Sequence, residues 1–127
     1  MFASLTRRSL RLICLSIVGL ASAAAAQENF RPLALGSPSR GAELIAAKGC
    51  GSCHMIPGIG GADGLVGPPL IKMGRRIFIA GLLRNTPQNL AAWVYDPQRF
   101  VPGNAMPATG LSQSDAIDVA AYLETLR

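Results

Sequence analysis

The sequence predicts an all-α domain of three main helices linked by irregular loops rich in Gly and Pro. Three observations predict it. Segments near residues 40–49, 86–95 and 112–126 each follow a Ser or Thr suited to cap a helix. The last of them repeats Ala116, Val119, Ala120, Leu123 and Leu126 at helical spacing. Between the first two, residues 55–74 hold six Gly and three Pro, a composition that suits neither helix nor strand. A loop of that length is unusual in a small domain unless it wraps something.

Residues 1–26 read as a secretory signal. Arg7, Arg8 and Arg11 form its basic start, Leu12 to Leu20 its apolar stretch, and Ala24-Ala25-Ala26 a small-residue cleavage site before Gln27. The apolar stretch is shorter than the ~20 residues of a membrane span. Cleavage and export to a periplasm are the expectation, and retention as a membrane anchor is the alternative. Cys14 lies within the apolar stretch and reads as filler lost with it.

The chain carries 12 Lys+Arg against 7 Asp+Glu, but three of the Arg and none of the acids fall within residues 1–26. The high isoelectric point is mostly a targeting feature, so no nucleic-acid partner is expected. About 100 residues remain, enough for one small domain with a thin core. A large apolar cofactor at its centre would make physical sense. The organisation expected is signal 1–26, flexible lead-in 27–38 and folded domain 39–127.

The first helix is expected from about Arg40 to Gly49, with Ser39 as cap, Leu44 and Ile45 on its apolar face, and Gly49 as its stop. Gly41 costs up to ~1 kcal/mol inside a helix, a cost offset if another helix passes close by. Residues 75–83 are apolar, with Ile77, Phe78, Ile79, Leu82 and Leu83, and propensity does not choose strand or helix there. The second helix has Thr86 as cap and Pro87 at its first position, and it stops at Asp96-Pro97 after Trp93 and Tyr95. A short turn to Phe100 and an extended segment through Met106 follow. Ser112 caps the last helix, with Asp115 in its acidic first turn.

Cys50-Gly51-Ser52-Cys53-His54 carries the chemistry. Two thiols three positions apart, with His directly after, read as a c-type haem attachment site. Both thiols must reach the two vinyl groups on one porphyrin edge, and the next residue then falls under the iron. His54 is the sole His of the chain. Two other readings of a CxxC remain open. A zinc site would lack a fourth Cys or His, apart from Cys14. A redox dithiol would want a βαβ context that the flanks do not offer. Without internal repeats, one covalently bound haem c, with its iron, is expected.

A six-coordinate haem needs a second ligand, and a Met thioether favours ferrous iron. Met55 neighbours His54 and cannot reach the opposite face. Met73, near Arg75 and Arg76, reads as a lining residue. Met106, with Pro102 and Pro107 around it, is the candidate, held by the fixed φ of its prolines. Pro68 has a free carbonyl and no N–H, which makes it a candidate acceptor for His54 Nδ1.

These residues resemble a class I c-type cytochrome over about Arg40 to Arg127. The resemblance rests on Gly41, Leu44-Ile45, Cys50 to His54, Gly67-Pro68-Pro69-Leu70, Trp93, Asp96-Pro97, Phe100, Val101-Pro102-Gly103, Met106, and Asp118 to Leu123. Thr86-Pro87-Gln88-Asn89-Leu90 is similar to the cytochrome c domain of subunit II of bacterial haem–copper oxidases. No copper domain precedes it in the sequence, so a free-standing or separately anchored carrier is expected. The resemblance implies thioethers at Cys50 and Cys53, iron ligation by His54 and Met106, and the Pro68 carbonyl on the His. Trp93 would lie against the haem, bond a propionate, or pack within its helix. Arg75 and Arg76 would neutralise propionates or stay solvated. Tyr122 would pack between helices.

The implied function is electron transfer without catalysis, between a respiratory complex or dehydrogenase and a terminal oxidase. The alternatives are a dedicated electron-acceptor subunit of such a complex, and a ligand-binding or peroxidatic haem protein. A monomer or a subunit of a complex is expected. Of the residues just before Met106, Gln98, Arg99, Asn104 and Ala105, only Arg99 is charged. A small apolar docking contact is therefore expected.

Overall fold

Ser37 begins the first helix. In the computed structural model, which describes residues 36–127, α1 spans Pro38–Ala47 and Ser37 Oγ accepts from the Arg40 N–H at 3.4 Å. The expected signal and most of the expected lead-in lie outside the described residues. Ser39, the expected cap, instead sits inside α1 with its hydroxyl 3.0 Å from Ser37 Oγ. The reason is Pro38, whose missing N–H and fixed φ suit the first helical position and move the cap back to Ser37. α1 ends as expected: Gly49 turns left-handed at φ 70 and feeds the chain into Cys50.

The other two helices follow their signals. α2 spans Pro87–Tyr95, with Thr86 Oγ1 accepting from the Asn89 N–H at 3.2 Å. It stops at Asp96, whose carboxylate caps a 3-10 turn, Pro97–Arg99. α3 spans Gln113–Thr125, with Ser112 Oγ accepting from the Asp115 N–H at 3.1 Å.

Both α1 and α2 pack on α3. Ile45, Leu90, Val94, Ala116, Val119, Ala120 and Leu123 are buried where they meet. Gly41 lets α1 cross α3 at backbone contact: a Cβ there would stand 2.1 Å from Asp118 O. Arg40 reaches across the same crossing, 3.1 Å from Asp115 Oδ1 and 3.3 Å from Asp118 Oδ2. The Ser37 N–H donates to Asp118 Oδ1 at 2.7 Å.

Residues 75–83 resolve into neither one helix nor one long strand. A 3-10 turn at Met73–Arg75 leads to a two-stranded antiparallel hairpin, β1 Phe78–Ile79 and β2 Leu83–Arg84. Ala80 and Gly81, at φ 51 and 72, make its tight turn. Asn85 fastens the hairpin to the preceding loop, its Nδ2 donating to Met73 O at 2.9 Å and Arg76 O at 3.0 Å. With no other strand pair among the described residues, the class stays all-α. Tyr122 does more than pack: its hydroxyl donates to Pro57 O at 2.7 Å and ties the long loop to α3.

Gly41→Ala should lower stability by about 1–3 kcal/mol in urea unfolding, the usual cost of overpacking. Gly60→Ala, with no atom within 4 Å of its Cβ position, should change it by less than about 0.5 kcal/mol. Equal midpoints for the two would mean the helices do not cross at Gly41.

The Ser112 hydroxyl chiefly, and Arg40 next, hold the Asp115 carboxyl below its ordinary range. A depressed carboxyl stabilises the fold above its unfolded pKa of about 4 and loses that contribution as pH falls through the folded value. Thermal unfolding of Asp115→Asn over a pH series should show a lower melting temperature at pH 7 and a shallower loss in acid. Parallel acid limbs would remove Asp115 from the account.

Candidate functional site

The left-handed turn at Gly49 is followed by a 3-10 turn at Cys50–Ser52. The N–H groups of Cys53 and His54 both donate to Cys50 O, at 3.2 and 3.0 Å. Ser52 Oγ donates to Gly49 O at 2.7 Å. Both thiols and the imidazole are thus carried on one tight turn. Cys50 and Cys53 are free and half-buried. Burial chiefly pushes the Cys50 thiol up, a backbone hydrogen bond opposes this, and Cys53 adds to it.

His54 Nδ1 lies 2.8 Å from Pro68 O. A carbonyl only accepts, so Nδ1 is the donor, and Nε2 is the nitrogen left to ligate a metal. Gly67 makes room for the ring, since a Cβ there would stand 2.3 Å from His54 Cε1. The Gly67 N–H donates to Cys53 O at 2.7 Å. The Arg76 guanidinium donates to Pro69 O and Ile71 O and clamps the same loop.

Cys50, His54, Pro68, Trp93 and Met106 line one cleft, walled by Ile45, Ile56, Leu70, Met73, Ile79, Leu90, Val94, Val119 and Leu123. A neighbouring cleft is lined by Cys50, Cys53, His54, Gly67, Pro68 and Ala105-Met106-Pro107-Ala108. Cys50, His54, Pro68, Met106 and Thr109 belong to both, so the two clefts flank one site. Among the described residues no three His, Cys, Asp or Glu side chains converge as a metal site. The donor set fits haem: two thiols, an imidazole oriented by a backbone carbonyl, a thioether, and a cleft with mainly apolar walls.

All six expected site residues therefore come together. Trp93 faces the cleft and also packs, its ring 6.1 Å from Phe100. Met73 lines the cleft but is 4 % exposed within the core, while Met55 pairs with Asp63 and lines neither cleft. The two Arg separate: Arg76 lines the cleft, whereas Arg75 is exposed and does not.

Two features were missed in the sequence. Lys48, remote in sequence from Met106, joins the second cleft, its Nζ donating to Gly110 O at 3.2 Å. The charge near Met106 is thus not limited to Arg99. The Met106 backbone is held by the side-chain amides of Gln98 and Asn104, while Pro102 and Pro107 are exposed. The only sequence signal for this was two amide residues around the Pro-Gly turn.

A family model described as Cytochrome c matches residues 38–127. The chain belongs to the cytochrome c family. Its relatives include proteins named cytochrome c oxidase subunit 2. That of Alkalihalophilus pseudofirmus is 38% identical over 90 residues, covering 70% of this chain and 25% of the relative. That of Bacillus subtilis is 35% identical over 92 residues, 69% of this chain and 26% of the relative. That of Bacillus sp. strain PS3 is 32% identical over 101 residues, 76% and 28%. The chain spans about a quarter of the length of these relatives. Membership in the cytochrome c family implies haem c with its iron as cofactor and haem-based electron transfer as activity.

Gly67→Ala should drive the His54 ring off Pro68 O. Outer-shell partners of a ligating His are worth about 10–100-fold in metal affinity. The variant, produced with haem maturation, should lose most of its pyridine haemochrome yield or show an altered ferric spectrum. Parental yield and spectrum would mean the His54 ring does not stand against Gly67.

Proposed function

We propose that this chain is a single-haem c-type cytochrome, exported to the periplasm, that carries electrons between a respiratory complex or dehydrogenase and a terminal oxidase. The observation that carries this reading is the shared apolar cleft of Cys50, His54 and Met106, with His54 Nδ1 fixed on Pro68 O at 2.8 Å. Bound haem c supplies a one-electron Fe(II)/Fe(III) couple. Cys50 and Cys53 would hold it by thioethers. His54 would offer Nε2 to the iron, with the Pro68 carbonyl keeping the ring oriented and basic. Met106 would offer its thioether as the second donor. With both donors supplied by side chains, no position would be left for a substrate, which supports a carrier rather than an enzyme. Apolar walls such as Leu90, Val94 and Leu123 keep water out.

The second cleft supplies the contact for a redox partner. Val66 on it, 78 % exposed, and its neighbour Leu65, 80 % exposed, present apolar surface, and Lys48 is the one charged side chain that lines it. That balance suits a small, transient encounter. Residues 1–26, with their basic start and small-residue cleavage site, support export. Among the described residues no helix is long and apolar enough to cross a membrane; an uncleaved N-terminus would give membrane association.

The relatives are oxidase subunits by name, which favours a second reading, a dedicated electron-acceptor subunit within an oxidase or dehydrogenase complex. The native mass separates the two: a monomeric soluble product supports the carrier, and co-migration with a membrane complex supports the subunit.

Visible and near-infrared spectra of the exported, haem-matured protein test the site. Covalent haem with the weak ferric band of Met–iron ligation is expected. Met106→Ala should lose that band, gain binding of external ligands, and drop in potential by more than roughly 59 mV, a tenfold shift for one electron. An unchanged potential and ligand affinity would return the protein to the ligand-binding or peroxidatic reading. Absence of covalent haem from a competent host would sink the haem site itself.

A further inference from the structure

Met106 occupies a segment with no helix or strand, between the 3-10 turn at Pro97–Arg99 and α3. Its backbone nevertheless has both polar groups satisfied, and by side chains. The Met106 N–H donates to Asn104 Oδ1 at 2.8 Å. The Met106 carbonyl accepts from Gln98 Nε2 at 2.7 Å.

The same two amides close the loop on itself. Gln98 Nε2 also donates to Asn104 O at 3.0 Å, and Gln98 Oε1 accepts from the Gly103 N–H at 2.8 Å. Asn104 Nδ2 donates to Val101 O at 2.7 Å and to Pro97 O at 3.2 Å. Each amide is therefore fixed in orientation: its oxygen faces an N–H and its nitrogen faces carbonyls, so a flip would break every bond it makes. The brace is anchored at Pro97, which is among the most buried side chains, and at the Asp96 carboxylate that caps the turn. Beyond Met106, Thr109 Oγ1 donates to Val94 O at 2.9 Å and ties the segment back to α2.

We propose that Gln98 and Asn104 are positioning residues: their interlocked amides hold the Met106 thioether on the cleft and set how readily it releases. The inference rests on Met106 as the second donor. A ligand on an irregular segment stays bound only as long as its backbone stays put. An external ligand binds in proportion to the fraction of time that the thioether is away. Loosening the brace raises that fraction without touching the thioether itself.

The test uses the haem-loaded protein and five forms: parent, Gln98→Glu, Asn104→Ala, Met106→Ala, and Gln88→Ala as a control on the exposed start of α2. Gln98→Glu keeps the shape and loses both bonds donated by Nε2. Imidazole titration of the ferric protein should show roughly tenfold or greater tightening in Gln98→Glu and Asn104→Ala, the scale set by one or two lost hydrogen bonds. Gln88→Ala should match the parent. In Gln98→Glu the Met–iron band should be weak at pH 7 and recover below about pH 5, where a protonated carboxyl can donate again. A general loss of stability would not produce that recovery. If Gln98→Glu does not accumulate, Asn104→Ala gives the same affinity comparison. Parental imidazole affinity and band strength in the brace variants, with the band present in the parent, overturn this inference alone. A parent without the band, whose imidazole affinity Met106→Ala leaves unaltered, overturns both this inference and the ligand assignment beneath it.

Discussion

The close crossing of α1 and α3 at Gly41 sets the geometry of everything else. α1 ends at the turn that carries Cys50, Cys53 and His54, while α3 brings Val119 and Leu123 to the cleft wall. A side chain at Gly41 would drive the two axes apart and move the motif away from that wall. Arg40 and the Ser37 N–H hold the same crossing at the surface through Asp115 and Asp118. Those exposed ion pairs add little energy. The steric fit is the constraint, and α2 completes it by packing on α3 from the other side.

Around this frame the site is made of irregular backbone fastened by side chains. The loop after His54 is held by Arg76 on two carbonyls, by Tyr122 on Pro57, and by His54 itself on Pro68. The Met106 segment is held by two amides. Irregular backbone cannot satisfy its own polar groups as a helix does, so each exposed carbonyl or N–H needs a named partner. The loop after His54 is thus held by a guanidinium, a phenol and an imidazole, and the Met106 segment by carboxamides.

The sequence disclosed what is local. Thr86-Pro87 and Ser112 start α2 and α3 where their capping chemistry places them, because a cap is decided within four residues. Cys50 to His54 was legible because haem attachment demands a fixed spacing. Ser39 misled because two serines flank Pro38 and only the ring's preference for the first helical position decides between them. The hairpin at residues 78–84 was hidden because its apolar run suits strand and helix alike, and its left-handed turn starts at Ala80, a residue that rarely announces one. Lys48 was out of reach because its partner, Gly110, is chosen by the tertiary fold. The amide brace is local, but side-chain bonds within an irregular loop follow no periodic pattern that a sequence displays.

Ile45, Leu90, Val94, Val119 and Leu123 are at once the buried core and the walls of the cleft. A domain of this size has no second core to fall back on. Whatever fills the cleft is thus also the centre of its hydrophobic packing, and its binding free energy adds to that of folding. Copies that fail to acquire the group would be left with a hollow interior and would open more often to proteases. The cleft would then act as a checkpoint: the lifetime of each chain, and so the amount that accumulates, follows the supply of its cofactor.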